Sequence, residues 1–538
     1  MNPASGAHTA PADTWLDGAV GASSWIVDDD LAELARALQR HNPPIRAAAS
    51  ERADSLLQLP RRRDQVLRAL AVSAEFGKQA GAFGYDLHRV ARTRGTHLPA
   101  MLADGIRRLR AARTRLTRDG FDPATPRPGV EADPVRVALA ARLRSACEAL
   151  GPTFVKFGQL LGSADGLLPP EFVAEFGGCR DDVAPVAFDV VRREVERSLG
   201  RIDEHFRHID PRPLASASIA QVHAATLLDG TEVVIKVQRP GVRAVVERDV
   251  AVLHALTRAI ERIDIAATAN LSGMVSLFAR TVLEELDFRL EAENMIAIAL
   301  SLEETGVADV AIPHPVTWGV TPTVLVMERL HGRRLHDPEW ESGGEVDALA
   351  LLRTGTQAVL ECALTHGLFH GDMHAGNMLL LDDGRYGLLD FGIVGRFDPG
   401  QRRALWEWMT ALVADDLTAQ LVALDGLGAF PPGTDVDALA EGLDAALTLL
   451  EDDEASSFDE VATGFERIAR ILQSHGMRVP TELALFLKNL LHVNSAMRVL
   501  APERDPYAEV GDIFGEVSVR CRDSATTTTE SGSGPRTG

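Results

Sequence analysis

The chain is 538 residues long, 46% hydrophobic and 25% charged, an ordinary globular composition with room for a two-lobed enzyme or two to three domains. A net charge of −22 argues against a nucleic-acid binder, which needs a basic surface to meet phosphates. Four scattered cysteines (Cys147, Cys179, Cys362, Cys521) lack CxxC spacing, which argues against a disulfide framework or zinc site and fits a reducing cytosol.

No secretory signal is expected: the first basic residue is Arg36, and Asp13 and Asp17 interrupt any apolar start. No run of about 18 uncharged apolar residues appears, so a membrane span is not expected. The resulting expectation is a cytoplasmic protein, compatible with peripheral membrane contact.

In chain order, residues 1–30 lack helical periodicity and read as a loose tail. Residues 31–118 carry apolar positions at helical spacing, as in LAELARALQR, and predict several helices. The Pro- and Gly-containing stretch 119–134 reads as a linker, and helix resumes over 135–204. QVHAATLL and the β-branched run TEVVIKVQ flank Asp229-Gly230, which predicts a hairpin in a small β-rich lobe at 205–330. A long helix is expected over about 243–302, then a strand over 323–330, TVLVMERL. A helical lobe follows at 331–505, with MLLL and YGLLDF as short strands around Asp383-Gly384. The remainder, 506–538, ends in a low-complexity tail. The fold class expected is α+β.

Basic residues total 55, yet only four are lysine: Lys78, Lys156, Lys236 and Lys488. A lysine that persists among arginines reads either as chance in a small sample or as a place where a compact ammonium is wanted rather than a planar guanidinium.

The strongest chemical signal is His370-Gly371-Asp372-Met373-His374-Ala375-Gly376-Asn377, followed by Asp390-Phe391-Gly392. A carboxylate, an amide five residues on and a second carboxylate 13 residues further suit magnesium-dependent phosphoryl transfer. Asn377 and Asp390 would each give the cation an oxygen, and Asp372 would accept or orient the proton of an attacking hydroxyl. Lys236, at the end of VVIK, is placed to reach the phosphates if a carboxylate holds it, and Glu291 is the natural partner. On a regular helix, Asp287, Glu291 and Asn294 share one face.

The loop and flanking strands resemble the catalytic and metal loops of the protein-kinase superfamily. HGD-x-H-x-GN wording occurs in aminoglycoside and choline phosphotransferases and in the family called ABC1, ADCK or UbiB. The rest of the chain favours the latter. Lys156-Phe157-Gly158-Gln159 resembles that family's KxGQ motif, Glu285-Leu286-Asp287 its ExD motif and Glu291-Ala292-Glu293-Asn294 its EAxN segment. Where ordinary kinases carry GxGxxG, the chain reads Ala215-Ser216-Ala217-Ser218-Ile219, similar to the family's alanine-rich nucleotide loop.

The resemblance implies a protein-kinase-like two-lobed fold with a helical N-terminal extension folded over the active site. It implies ATP and Mg2+ as cofactors, with Lys156 and Gln159 near the nucleotide. Met327 would be gatekeeper-like, with Glu328 and Leu330 in the hinge that meets adenine. Phosphate contact would come from backbone N–H groups and serine hydroxyls of residues 215–219. Glu285 and Asp287 lie about 200° apart on a regular helix and so are expected to have different partners.

The implied activity is ATP hydrolysis or phosphoryl transfer supporting isoprenoid-quinone or membrane-lipid metabolism, with a lipid or quinone-related partner. The alternatives are a small-molecule phosphotransferase, an ATP-gated lipid-handling scaffold, and a pseudoenzyme. Retention of every metal and phosphate residue speaks against the last. The family often shows HxDPHPGN, and here Met373 and Ala375 replace both prolines, which puts loop rigidity in question. Ser163-Ala164-Asp165-Gly166 stands where an Arg-Pro-Asp stretch is common, and no APE segment follows DFG.

Overall fold

The computed structural model describes residues 23–57, 63–93, 134–162, 170–179, 183–260, 271–334, 348–373, 375–451, 477, 480, 482–483, 485–490 and 510–519. Expectations that fall on the remaining residues, among them 1–22, 94–133, 163–169, 261–270, 335–347, 452–476, 491–509 and 520–538, lie outside these. Residues 23–28, within the expected loose tail, are docked: Ser23 and Ser24 hydrogen-bond Glu303, and Trp25 stacks on His314 with ring centroids 4.3 Å apart.

Two long helices open the described chain, α1 (Asp29–Leu56) and α2 (Arg63–Thr93). Asp28 caps α1 by accepting from the Leu31 N–H. Leu31, Ala35, Leu38 and Asn42 recur at helical spacing and form the stripe that α1 buries. Shorter helices follow: α3 (Pro134–Leu150), α4 (Pro152–Gly162), α5 (Pro170–Gly177) and α6 (Phe188–Leu199).

The small lobe is built on a five-stranded antiparallel sheet of order β1-β2-β3-β6-β5. Its strands are β1 (Phe206–Ser216), β2 (Ala220–Leu227), β3 (Glu232–Gln238), β5 (Pro315–Val320) and β6 (Val324–Glu328). The expected hairpin forms through Asp229-Gly230, where Gly230 takes a φ of 99°. Strand alternation then decides which way Lys236 points. Val233, Ile235 and Val237 pack against α6 and β1, so Val234 and Lys236 face the other side. Met327 and Leu325 lie on that same side, in the main core.

Between β3 and β5 run α7 (Val242–Ile260), α8 (Leu271–Glu284), α9 (Phe288–Glu304) and β4 (Val310–Ala311). The long helix expected over 243–302 is therefore interrupted: the chain leaves helical geometry at 285–287, and Asp287, with φ −137°, becomes the N-cap of α9. α9 is apolar nearly all round and buried from Leu290 to Leu302, the signature of a central helix rather than a surface one. α1 lies against it, and α4 joins α7 and α8 through Phe154, Phe157, Val246 and Phe278.

The helical lobe carries a second sheet of order β4-β10-β9-β7 and a two-stranded ribbon, β8 with β11. The strands are β7 (Gly332–Arg334), β8 (Leu368–His370), β9 (Met378–Leu381), β10 (Tyr386–Leu388) and β11 (Val394–Arg396). Helix α10 (Ala348–Thr365) precedes β8, and α11 (Pro399–Val413), α12 (Leu417–Gly426) and α13 (Val436–Glu451) follow β11. The pairings nest: β8 pairs β11 outside the β9–β10 hairpin. Loops 371–377 and 389–393 are consequently side by side. The Gly371 N–H donates to Ile393 O at 2.8 Å and the Leu389 N–H to Asn377 O at 2.9 Å.

Candidate functional site

Lys236 Nζ lies 2.6 Å from Glu291 Oε1 and 3.0 Å from Asp390 Oδ1. Three elements make this meeting: β3 turns the lysine inward, the first turn of α9 supplies Glu291, and the ribbon-bound loop supplies Asp390. Burial opposes the charge on Lys236, but Asp390 and Glu291 together hold its pKa above the ordinary lysine value. Burial likewise raises the Glu291 carboxyl, with Lys236 opposing the shift. At half-exposed Asp390 the surrounding protein resists ionisation, and Lys236 and then Lys156 override it, so its carboxyl stays well below the usual carboxylate range.

The Asp390 backbone is held at a φ of 56°, a conformation costly for a residue with a side chain and typical of sites where geometry is imposed. Its Oδ1 accepts from Lys236 and, at 3.3 Å, from the Gly392 N–H. Asn377 donates its amide to Asp372 O at 3.0 Å, so the amide oxygen is the end it can offer a cation. These are two hard oxygens on backbones tied together at Leu389 and Asn377. Among the described residues no group of three or more His, Cys, Asp or Glu converges as a metal cage. The pair fits magnesium, which completes its shell with phosphate and water.

Two further devices shape the loop. A Cβ on Gly371 would meet Ile393 Cγ2 at 2.5 Å, so glycine is needed where β11 closes on β8. Buried His370 has its pKa lowered by burial and is neutral. Its Nδ1 accepts from the Asp372 N–H at 3.1 Å, which puts the proton on Nε2, donated to Leu389 O at 3.1 Å. One imidazole thereby ties both loops.

The ExD residues do have different partners, but they part at the break between α8 and α9 rather than on a regular helix. Glu285 Oε2 pairs with Lys156 Nζ at 2.7 Å, while Asp287 caps α9 and pairs with Arg289 at 2.7 Å. Glu285 also sits against the DFG turn, its Cγ within 3.6 Å of where a Gly392 Cβ would be. Burial pushes the Glu285 carboxyl up to about 7, with Lys156 pulling it down. Lys156 thus reaches toward the Asp390–Gly392 turn through Glu285, whereas Gln159 donates to Cys179 O of the extension at 3.4 Å. Asn294 donates to Phe391 O at 2.9 Å and accepts from Arg396 and from Arg46 of α1.

The alanine-rich loop is occupied with itself. The Ala217 N–H donates to Ala220 O, and the Ser216 hydroxyl donates to Val183 O at 2.8 Å. Arg239 then staples Ser216, Ala217 and Val183 together. Ala215 lies in β1, and Ser218 and Ile219 are buried at the turn into β2. The Ser216 hydroxyl and Ala217 N–H expected for phosphate contact are committed to this turn. Met327 is buried on β6, Glu328 accepts from His314 at 2.9 Å, and Leu330 packs near Leu379 and Leu381.

Sequence reasoning assigned no role to Lys488. Its Nζ lies 2.8 Å from Asp372 Oδ1, and its neighbour Asn489 accepts from the Met373 N–H at 3.1 Å and donates to His370 O. Three of the four lysines therefore stand in this cleft. Their scarcity was the signal that could have found the third.

A lysine on a small antiparallel sheet, its glutamate on a central helix and paired loops from a helical lobe define a protein-kinase-like fold, atypical in its alanine-rich loop and helical extension. Residues 178–422 match the ABC1 atypical kinase-like domain. An Arabidopsis thaliana chloroplast protein described as an uncharacterized aarF domain-containing protein kinase is 34% identical over 67% of this chain and 72% of its own length. An uncharacterized Mycobacterium tuberculosis protein is 36% identical over 66% of this chain and 73% of its own. Aeromonas hydrophila "Probable protein kinase UbiB" is 34% identical over 69% of each chain. The chain belongs to the ABC1/ADCK/UbiB family of atypical kinase-like proteins. No helix among the described residues is long and apolar enough to cross a membrane.

Proposed function

We propose that the chain is a magnesium-dependent ATP-binding enzyme that hydrolyses ATP or passes its terminal phosphoryl group to a small or lipid-like acceptor. We further propose that it serves isoprenoid-quinone or other membrane-lipid metabolism, a role supported by the family and by the UbiB relatives. The observation that carries the nucleotide reading is the Lys236 ammonium held between Glu291 and Asp390.

In this reading Lys236 meets the α- and β-phosphates, and Glu291 keeps its ammonium aimed into the cleft. Asn377 and Asp390 would hold magnesium, which when bound neutralises charge on the phosphates. Asp372 accepts a hydrogen bond from the attacking hydroxyl or water and orients it. The strand end from Met327 to Leu330 offers backbone groups to adenine. Phosphate contact at the alanine-rich loop falls to the groups outside the Ser216–Ala217 turn.

A second reading, an ATP-gated lipid-handling helper, is favoured by the Lys156–Glu285 pair. It couples the helical extension to the DFG turn, so nucleotide state and extension position can report on each other. Terminally labelled ATP, incubated with and without liposomes, separates the two. A labelled lipid or small-molecule acceptor supports transfer, and liposome-stimulated phosphate release without an acceptor supports the helper. No turnover in either arm would overturn the enzymatic reading.

A further inference from the structure

The ammonium of Lys488 reaches Asp372 from residues 485–490, a helical segment more than a hundred positions downstream of the loop it touches. Lys488 is mostly buried and its partner only partly so, at 17% and 31% side-chain exposure, so the pair sits at the edge of the cleft rather than on open surface. Asn489 beside it grips the same loop by two backbone groups, the Met373 N–H and the His370 carbonyl. A proline at position 373 would have no N–H to give. In this chain an external amide therefore holds the loop at the position where the commoner family wording has a ring. The same turn of helix that supplies this clasp delivers the cation.

The electrostatics say what the cation is for. Asp372 must stand close to the terminal phosphoryl group to orient a nucleophile toward it, yet a carboxylate beside a phosphate is repelled. Lys236, held by Glu291 and Asp390, is assigned to the α- and β-phosphates in the ATP reading rather than to the terminal group. Lys156 is engaged with Glu285. Lys488 is the lysine on Asp372 itself. Fixed charges aimed at the place where phosphoryl charge develops are the principal means of lowering such a barrier.

We propose that Lys488 is a catalytic cation of this site, contacting the terminal phosphoryl group while it holds Asp372 in its orienting position. The proposal rests on the ATP reading above. It predicts that Lys488 distinguishes ATP from ADP, because only ATP places a phosphoryl group beside Asp372.

The test uses the full-length protein and Lys488→Met, Lys488→Arg and Asn489→Ala variants, with melting shifts in Mg·ATP and Mg·ADP alongside phosphate release. Lys488→Met should melt near the wild type without ligand and keep its Mg·ADP shift. Its Mg·ATP shift should fall to the Mg·ADP value, and kcat should drop by about 100-fold. Lys488→Arg should restore part of both. Asn489→Ala should lower the ligand-free melting temperature while keeping the ATP-over-ADP preference. A Lys488→Met protein with wild-type ATP preference and wild-type kcat overturns the proposal, as does one whose only defect is a lower melting temperature. A wild type that responds to neither nucleotide refutes the ATP reading itself, and the Lys488 proposal with it.

Discussion

Asp390 bears the most conflicting demands of any side chain in the cleft. It carries a strained backbone, pairs with Lys236 and stands in the field of Lys156. Asp390→Asn removes the charge and keeps the shape. It is expected to abolish stabilisation by magnesium nucleotide in a melting assay while leaving far-UV circular dichroism unchanged. A retained Mg·ATP shift would remove Asp390 from the metal site. Glu285 makes a different prediction. Its folded pKa of about 7 exceeds its ordinary value of 4.5, so the native state binds the proton more tightly than the unfolded chain. That contribution is complete below about pH 4.5 and is lost as pH rises through about 7. Glu285→Gln should therefore gain melting temperature relative to the wild type as pH goes from about 5 to about 8. Parallel pH profiles for the two proteins would contradict it. That Lys236, Glu291 and Asp390 meet was legible in the sequence, because the magnesium and phosphate chemistry proposed for them calls for those residue types in that order. Lys488 stood out only by the rarity of lysine, since nothing local to it announces a partner 116 residues away.

Elements were legible where one rule dominated. Asp229-Gly230 and Asp383-Gly384 fixed two hairpins, because a tight turn with positive φ leaves few alternatives. Strand β5 was missed: Pro315 and Gly319 break the alternation, and its pairing with β6 is irregular. β8 and β11, three residues each, are too short to show any period. The break at 285–287 was hidden because apolar residues continue at helical spacing on both sides, although Asp287 ahead of Phe288 is a readable cap. Helix α1 was read as helix, but its task was not. Arg46 reaches Glu293 at 2.7 Å and Asn294 at 3.1 Å, so α1 braces the helix that carries Glu291. Arg46→Ala should destabilise the protein by about 1–3 kcal/mol in urea unfolding, because it strips a partly buried carboxylate of its cation. A change within error would make the contact a surface accident.

Across the molecule, the core does not respect the boundaries of the kinase-like match. Leu31, Ala35 and Leu38 of α1 share a cluster with Phe288, Met295 and Phe391, and Phe154 and Phe157 of α4 share another with Val246 and Phe278. A fragment limited to residues 178–422 would expose both faces. It is expected to be poorly soluble and to bind a hydrophobic dye without a cooperative melt. A soluble fragment with a sharp transition would show that the N-terminal helices are accessory. Leu38→Ala in the full chain should cost about 2–5 kcal/mol.

The concentration of lysines in the cleft has a practical consequence for spectroscopy. Reductive methylation with isotope-labelled formaldehyde tags lysine amines, so this large chain would yield four side-chain signals. Lys78, beside Glu75 on the outer face of α2, supplies an internal reference. The other three resonances come from the cleft, and titrating nucleotide into such a sample would report on its three ammonium groups without a backbone assignment.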